Sequence, residues 1–165
     1  MTSLDLVQGN NDEFNLPNHV INVMRESSDE CLWLVRLHPS FVLSHLDSLV
    51  KFFDNCSINN IEIINTSSIS LFDVIDNADY FLTRGSSPIF DALQYDLSAA
   101  VTDYKGFKQY ENLFNQGYIS YVNNEDSLRN FLNTDERLID KNLLKKYIYT
   151  ENLNINNTID SIMYS

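Results

Sequence analysis

Between Cys31 and Val122 the chain alternates short apolar runs with segments of helical periodicity, and this alternation limits the architecture more than any other feature. Cys31-Leu-Trp-Leu-Val-Arg-Leu37 is a compact apolar run stopped by His38-Pro39, with the length and composition of a buried strand. Ser40 can cap the next segment, where Phe41, Val42, His45, Leu46, Leu49, Val50 and Phe53 recur at helical spacing until Asp54-Asn55. The same order repeats with a strand over Ile61–Ile64, a helix over residues 68–78 carrying Ile69, Leu71, Phe72 and Ile75, and a strand over Tyr80–Thr83. Ser87 then serves as N-cap and Pro88 as first helical residue of a helix through Tyr95, because proline lacks the N–H that a first turn leaves unpaired. A small-residue strand over Ala99–Thr102 follows, then a helix with Phe107, Tyr110, Leu113 and Phe114 that stops at Gly117. Tyr118–Val122 is the last strand, and the chain is helical from Glu125.

Strands separated by helices at this spacing imply right-handed crossovers and a mostly parallel sheet of about five strands, covered by helices on both faces. The expected fold is therefore α/β, a three-layer Rossmann-like domain whose ligands bind at the carboxyl ends of the strands. With 165 residues, 44% of them hydrophobic, one sizeable core is the natural outcome. The division expected is a lead-in segment over 1–30, a nucleotide-binding core over 31–134 and carboxy-terminal helices over 135–165 packing on it. In the lead-in, residues His19–Met24 read as a short helix or an extended stretch.

A formal net charge of -12 repels phosphate backbones, so nucleic acid is not an expected partner. No apolar run is long enough for a membrane span, and the first residues carry neither a basic region nor a continuous apolar one, so a cytoplasmic location is expected. Cys31 and Cys56 lack metal-type spacing and are expected reduced and half-buried. Asp73, Asp76 and Asp79 read as a solvated helix face and end, and neither His19 nor His45 is read as a ligand.

Two strand-end loops carry the candidate chemistry. In a strand, alternate residues share a face, so Arg36 and His38 project together at the carboxyl edge, where both can donate hydrogen bonds to a phosphate; a histidine that only closes the sheet is the competing reading. The second loop is Thr83-Arg84-Gly85-Ser86-Ser87-Pro88. Gly85 permits a tight turn, and two hydroxyls with free N–H groups at a helix start outline an anion site. A plain cap is the competing reading there. Asp91, one turn into the helix, can accept hydrogen bonds from the vicinal hydroxyls of a ribose.

The order Arg36-Leu-His38-Pro39, then Ser86-Ser87-Pro-Ile-Phe-Asp91-Ala92 two strands later, resembles the carboxy-terminal, nucleotide-sugar donor domain of GT-B fold glycosyltransferases. The likeness is to enzymes of bacterial surface-polysaccharide synthesis, including sialyltransferases and Kdo transferases with their HP and SS motifs, and the glycerophosphotransferases of teichoic acid synthesis. Ser98–Thr102, Gly106, Phe107, Tyr110 and Asn115-Gln-Gly117-Tyr118-Ile119 are similar to the stretch that follows the second motif, and the resemblance covers about residues 30–134. It implies that His38, Ser86 and Ser87 contact the donor phosphate and that Asp91 holds the ribose; by their own placement and charge in the two loops, Arg36, Arg84 and Gly85 are expected to complete the phosphate site. Asp91 stands where the family more often has Glu, one methylene shorter, and Gln94-Tyr95-Asp96-Leu97 lacks the Gly-Lys-Pro type of turn common after this helix.

The resemblance implies the donor-binding half of a transferase that takes a CMP-, CDP- or UDP-linked sugar as substrate, with no further cofactor and no metal. The general base of such enzymes comes from an acceptor-binding domain, so no catalytic residue is assigned and the isolated chain is expected to be inactive. The expected partners are the nucleotide-sugar and an acceptor-domain protein, through which the chain would sit peripherally at the inner membrane. Two other readings stay open: a non-catalytic nucleotide-sugar-binding or scaffold module, and half of a sugar-nucleotide epimerase of the GT-B type.

Overall fold

A computed structural model describes residues 2–6, 16–37, 46–63 and 69–134. Within them the order is β1 (Thr2–Leu6), α1 (Asn18–Glu26), β2 (Trp33–Leu37), α2 (Leu46–Asn55), β3 (Ile61–Glu62), α3 (Leu71–Asp76), β4 (Tyr80–Thr83), α4 (Ile89–Gln94), β5 (Ser98–Val101), α5 (Tyr104–Gln109), α6 (Glu111–Asn115), β6 (Ser120–Tyr121) and α7 (Glu125–Asn133). All strand pairs are parallel, in the order β3-β2-β1-β4-β5-β6. This is the doubly wound, Rossmann-like order, with its reversal point between β1 and β4.

The sheet is one strand larger than the residue pattern suggested. Thr2–Leu6 pairs with both β2 and β4, so the strand read as the first of the core is the second in the chain, and the segment taken for a lead-in supplies the central strand and a covering helix. A central strand of a parallel sheet usually shows as a continuous apolar run, and Thr-Ser-Leu-Asp-Leu does not.

Residue alternation along the strands divides the core into two layers. On one face Trp33, Val35, Leu82, Ala100 and Val122 meet Val20 and Met24 of α1, Leu49 and Phe53 of α2, and Leu128 of α7. On the other, Phe81, Ala99 and Val101 meet Ile75 of α3, Ala92 and Leu93 of α4, and Leu113 of α6. Burial of these side chains at about 25 cal/mol per Å² is the main force holding the three layers together.

Several local expectations change. In α3 the buried residues are Val74 and Ile75, whereas Ile69 and Phe72 are exposed and Phe72 lies 6.0 Å from the Tyr95 ring. Val50, counted on the apolar side of α2, is also exposed. The helix expected through Phe107 and Leu113 is two short helices that meet at Tyr110. Its stop at Gly117 is as expected: Gly117 takes φ +75°, and the Tyr118 and Gly117 N–H groups close back on Leu113 and Phe114, the Schellman arrangement. Cys31 and Cys56 are free and half-buried, and Asp73, Asp76 and Asp79 are exposed.

Candidate functional site at the carboxyl edge

The reversal point lies between the carboxyl ends of β1 and β4, with β2 one strand further out. Arg36 of β2 and Thr83 of β4 are both in register with Asp5 of β1, so they stand on the same side of the sheet, about 10 Å apart with one strand between them. His38, the residue read as the partner of the Ser86–Ser87 loop, lies outside the described residues, as do Ser40 and His45.

The loop from Arg84 to Pro88 is held by side chains from two strand ends. Thr83, fully buried at the end of β4, accepts hydrogen bonds at Oγ1 from the N–H of Gly85 (3.1 Å) and of Ser86 (2.9 Å). Its own carbonyl receives the Thr102 N–H at 3.0 Å. Asp103, just past β5, accepts from Arg84 Nε at 2.8 Å through Oδ2 and from the Gly106 N–H at 2.8 Å through Oδ1, so one carboxylate caps α5 and ties down the loop. Tyr110 donates from its hydroxyl to the Gly85 carbonyl at 3.3 Å, and its ring packs edge-on against Phe90.

This arrangement alters the expected anion site. The N–H groups of Gly85 and Ser86, expected to be free, are spent on Thr83 Oγ1. Nor is Ser87 the helix cap: Pro88 holds the cap position at φ -54°, ψ -10°, with a turn closed by the Phe90 N–H onto the Ser87 carbonyl at 3.0 Å. Among the described residues the hydroxyls of Ser86 and Ser87 and the Ser87 N–H have no intramolecular partner. Ser86 is half-buried and Ser87 exposed, so both can meet a ligand, and a pair of hydroxyls can donate to a phosphate oxygen or accept from a sugar.

The other predicted residues divide in the same way. Arg84 Nε is committed to Asp103, and Arg36 donates to the Ile69 carbonyl at 3.1 Å, ahead of α3. Gly85 adopts φ +150°, and a Cβ there would meet Gln109 Oε1 at 3.2 Å and Gly106 Cα at 3.3 Å, so this position suits only glycine. Asp91, in the first turn of α4, is partly buried, and that burial pushes its carboxyl above the ordinary value of 3.8. His19 is part of α1, with Nε2 2.9 Å from the Val122 carbonyl, a packing role.

Thr83, Asp103 and Tyr110 were not among the residues singled out for the site. A threonine ending an apolar strand and an aspartate two residues beyond the next strand are ordinary in sequence, and only the parallel pairing of β4 with β5 brings them to one loop. A cavity of about 370 Å³ lies at the opposite, amino edge, between the ends of α1 and α7, lined by Glu26, Cys31, Tyr80, Arg129 and Asn133 among others. It is remote from the strand ends where ligands of such sheets bind. Among the described residues no group of His, Cys, Asp and Glu could hold a metal ion, and no helix is long and apolar enough to cross a membrane.

No known protein family matches the chain, and no curated protein does. Among solved structures, the chain is similar to the glycotransferase of kitacinnamycin, with 17% identity and a TM-score of 0.46. That similarity covers 78% of this chain and 32% of the other, so the chain spans about a third of its neighbour's length.

Proposed function

We propose that the chain is the donor-binding, nucleotide-sugar half of a glycosyltransferase for bacterial surface polysaccharide. One observation carries this reading: the Arg84–Pro88 loop, with its two serine hydroxyls unpartnered among the described residues, leaves β4 at the reversal point of a Rossmann-like sheet, where such sheets take nucleotides. The HP-then-SS order of Arg36-Leu-His38-Pro39 and Ser86-Ser87 supports the same assignment.

In this reading Ser86 and Ser87 bond the donor phosphate from β4, His38 reaches it from the β2 side, and Asp91 accepts the ribose hydroxyls. Gly85 allows the turn, Arg84 ties the loop to the Asp103 carboxylate, and Arg36 holds the Ile69 carbonyl ahead of α3 and adds positive potential to an acidic chain. Holding the phosphate stabilises the nucleotide as it departs; the base that takes the acceptor's proton is supplied by an acceptor-binding domain protein. Through that partner the chain would sit at the inner face of the membrane. It needs no metal or further cofactor.

Calorimetry with CMP, CDP and UDP tests the reading, followed by a transfer assay with and without an acceptor-domain partner. Binding of one nucleotide, weakened in His38→Ala and Ser86→Ala, with no transfer by the chain alone, is the expected result. Absence of binding by all three would abandon the donor-domain assignment, and robust transfer by the isolated chain would show that the base lies within it.

A further inference from the structure

We infer that Thr83 is a positioning residue for ligand binding, whose buried hydroxyl, together with the Asp103 carboxylate, sets the Ser86 and Ser87 hydroxyls toward the carboxyl edge. This rests on the nucleotide reading above and adds to it a residue outside the ligand's own contacts.

Thr83 has no solvent exposure, so it is set back beneath the loop, and it holds the loop through Oγ1, a single acceptor shared by two consecutive N–H groups. Binding both amides on one atom turns the chain at Gly85 and consumes the donors that would otherwise form a backbone cradle for an anion. What the loop then offers is side-chain hydroxyls and one N–H, that of Ser87. Asp103 acts from the other side. Its two oxygens hold Arg84 Nε and the Gly106 N–H, fixing the first loop residue to the start of α5. A loop ordered before the ligand arrives loses less conformational entropy on binding, and removal of its acceptor shifts that cost onto the binding step.

The experiment compares the whole chain with Thr83→Val, Thr83→Ser and Asp103→Asn, measuring CDP, CMP and UDP affinity by calorimetry and amide hydrogen exchange at Gly85 and Ser86. Valine keeps the buried shape and removes the acceptor, whereas serine keeps the acceptor. Thr83→Val is expected to speed exchange at both amides and weaken binding about tenfold, the scale of one hydrogen bond. Thr83→Ser should stay within about twofold of the parent in both. Asp103→Asn, which keeps one oxygen acceptor, should weaken binding by a smaller factor and provides a second route if the valine variant folds poorly. Parental affinity in both Thr83→Val and Asp103→Asn, with the parent chain binding normally, overturns the inference alone. A parent chain that binds none of the three nucleotides overturns the site reading, and the inferred role falls with it.

Discussion

Gly106 and Arg84 pack backbone against backbone, so closely that a Cβ on Gly106 would lie 2.0 Å from the Arg84 carbonyl oxygen and 2.8 Å from its carbon. Neither obstacle is a flexible side-chain end, so accommodating one methyl group requires the loop or α5 to move. Gly106→Ala is therefore expected to destabilise the chain by about 2–3 kcal/mol, a fall in Tm of roughly 5–10 °C. Gly117→Ala should be milder, about 1–2 kcal/mol, because space is open there and only the left-handed φ of +75° opposes a side chain. Differential scanning calorimetry of both variants checks the order, and a larger loss at Gly117 would show that the α5–loop contact is soft.

Some elements of the fold are written in local sequence and others only in distant partners. The strand Tyr80–Thr83 was legible to the residue because a short apolar run between turn signals has few alternatives. The central strand Thr2–Leu6 was not, since its place depends on two partners distant in the chain, and nothing in a polar pentapeptide announces them. The break at Tyr110 was hidden for a related reason. Its apolar ring fits a helical stripe, but its hydroxyl is tied to the Gly85 carbonyl, a contact 25 residues away that periodicity cannot register. Likewise the Ser86–Ser87 loop stood out as a possible anion site, whereas the threonine that takes two of its amides looked like the end of a strand.

Asp91 couples stability to pH. Burial raises its carboxyl pKa in the folded chain above 3.8, despite the favourable dipole of the α4 start, so between 3.8 and the folded value the folded state holds a proton that the unfolded state has already released. Stability from this group is full below 3.8 and is lost as pH rises through the folded value, which leaves the ionised group a net cost at neutral pH. Asp91→Asn should accordingly raise Tm at pH 7, with the gain shrinking to nothing at about pH 3. It should also weaken nucleotide binding where ribose hydroxyls need a charged acceptor. Thermal melts across pH decide the first point; a gain that is independent of pH would rule out ionisation as its origin.

Between α1 and α7 the charge linkage has the opposite sign. Glu125 accepts from Asn22 Nδ2 at 2.6 Å and from Arg129 at 2.9 Å, and these hydrogen bonds hold its carboxyl below the ordinary 4.5. Arg129 also pairs with Glu26 across the two helices. The resulting stabilisation is present above 4.5 and disappears as pH falls through the lowered folded value. Arg129→Ala is expected to lower Tm slightly at pH 7 and low salt, and to match the parent in acid or at about 1 M salt, where exposed pairs are screened. A deficit that persists unchanged in high salt would instead point to lost packing of the arginine stem.

The two serines of the loop should contribute unequally to nucleotide binding. Ser86 is half-buried, with its N–H given to Thr83 and its carbonyl to the Ile89 N–H at 3.3 Å, so its hydroxyl is the one group it has left for a ligand. Ser87 is exposed and keeps a main-chain N–H with no acceptor among the described residues, and that donor survives substitution by alanine. Ser86→Ala should therefore weaken binding about tenfold and Ser87→Ala only about threefold, each through a lost hydroxyl contact rather than a changed fold. Because the residues are adjacent and, in the proposed reading, would share one phosphate, the double variant should fall short of the product of the two losses. Calorimetric titration of all three variants with the tightest-binding nucleotide, alongside melts showing parental Tm, measures this. A greater loss from Ser87→Ala would place the phosphate on the outer side of the turn, toward the start of α4, and away from the strand end.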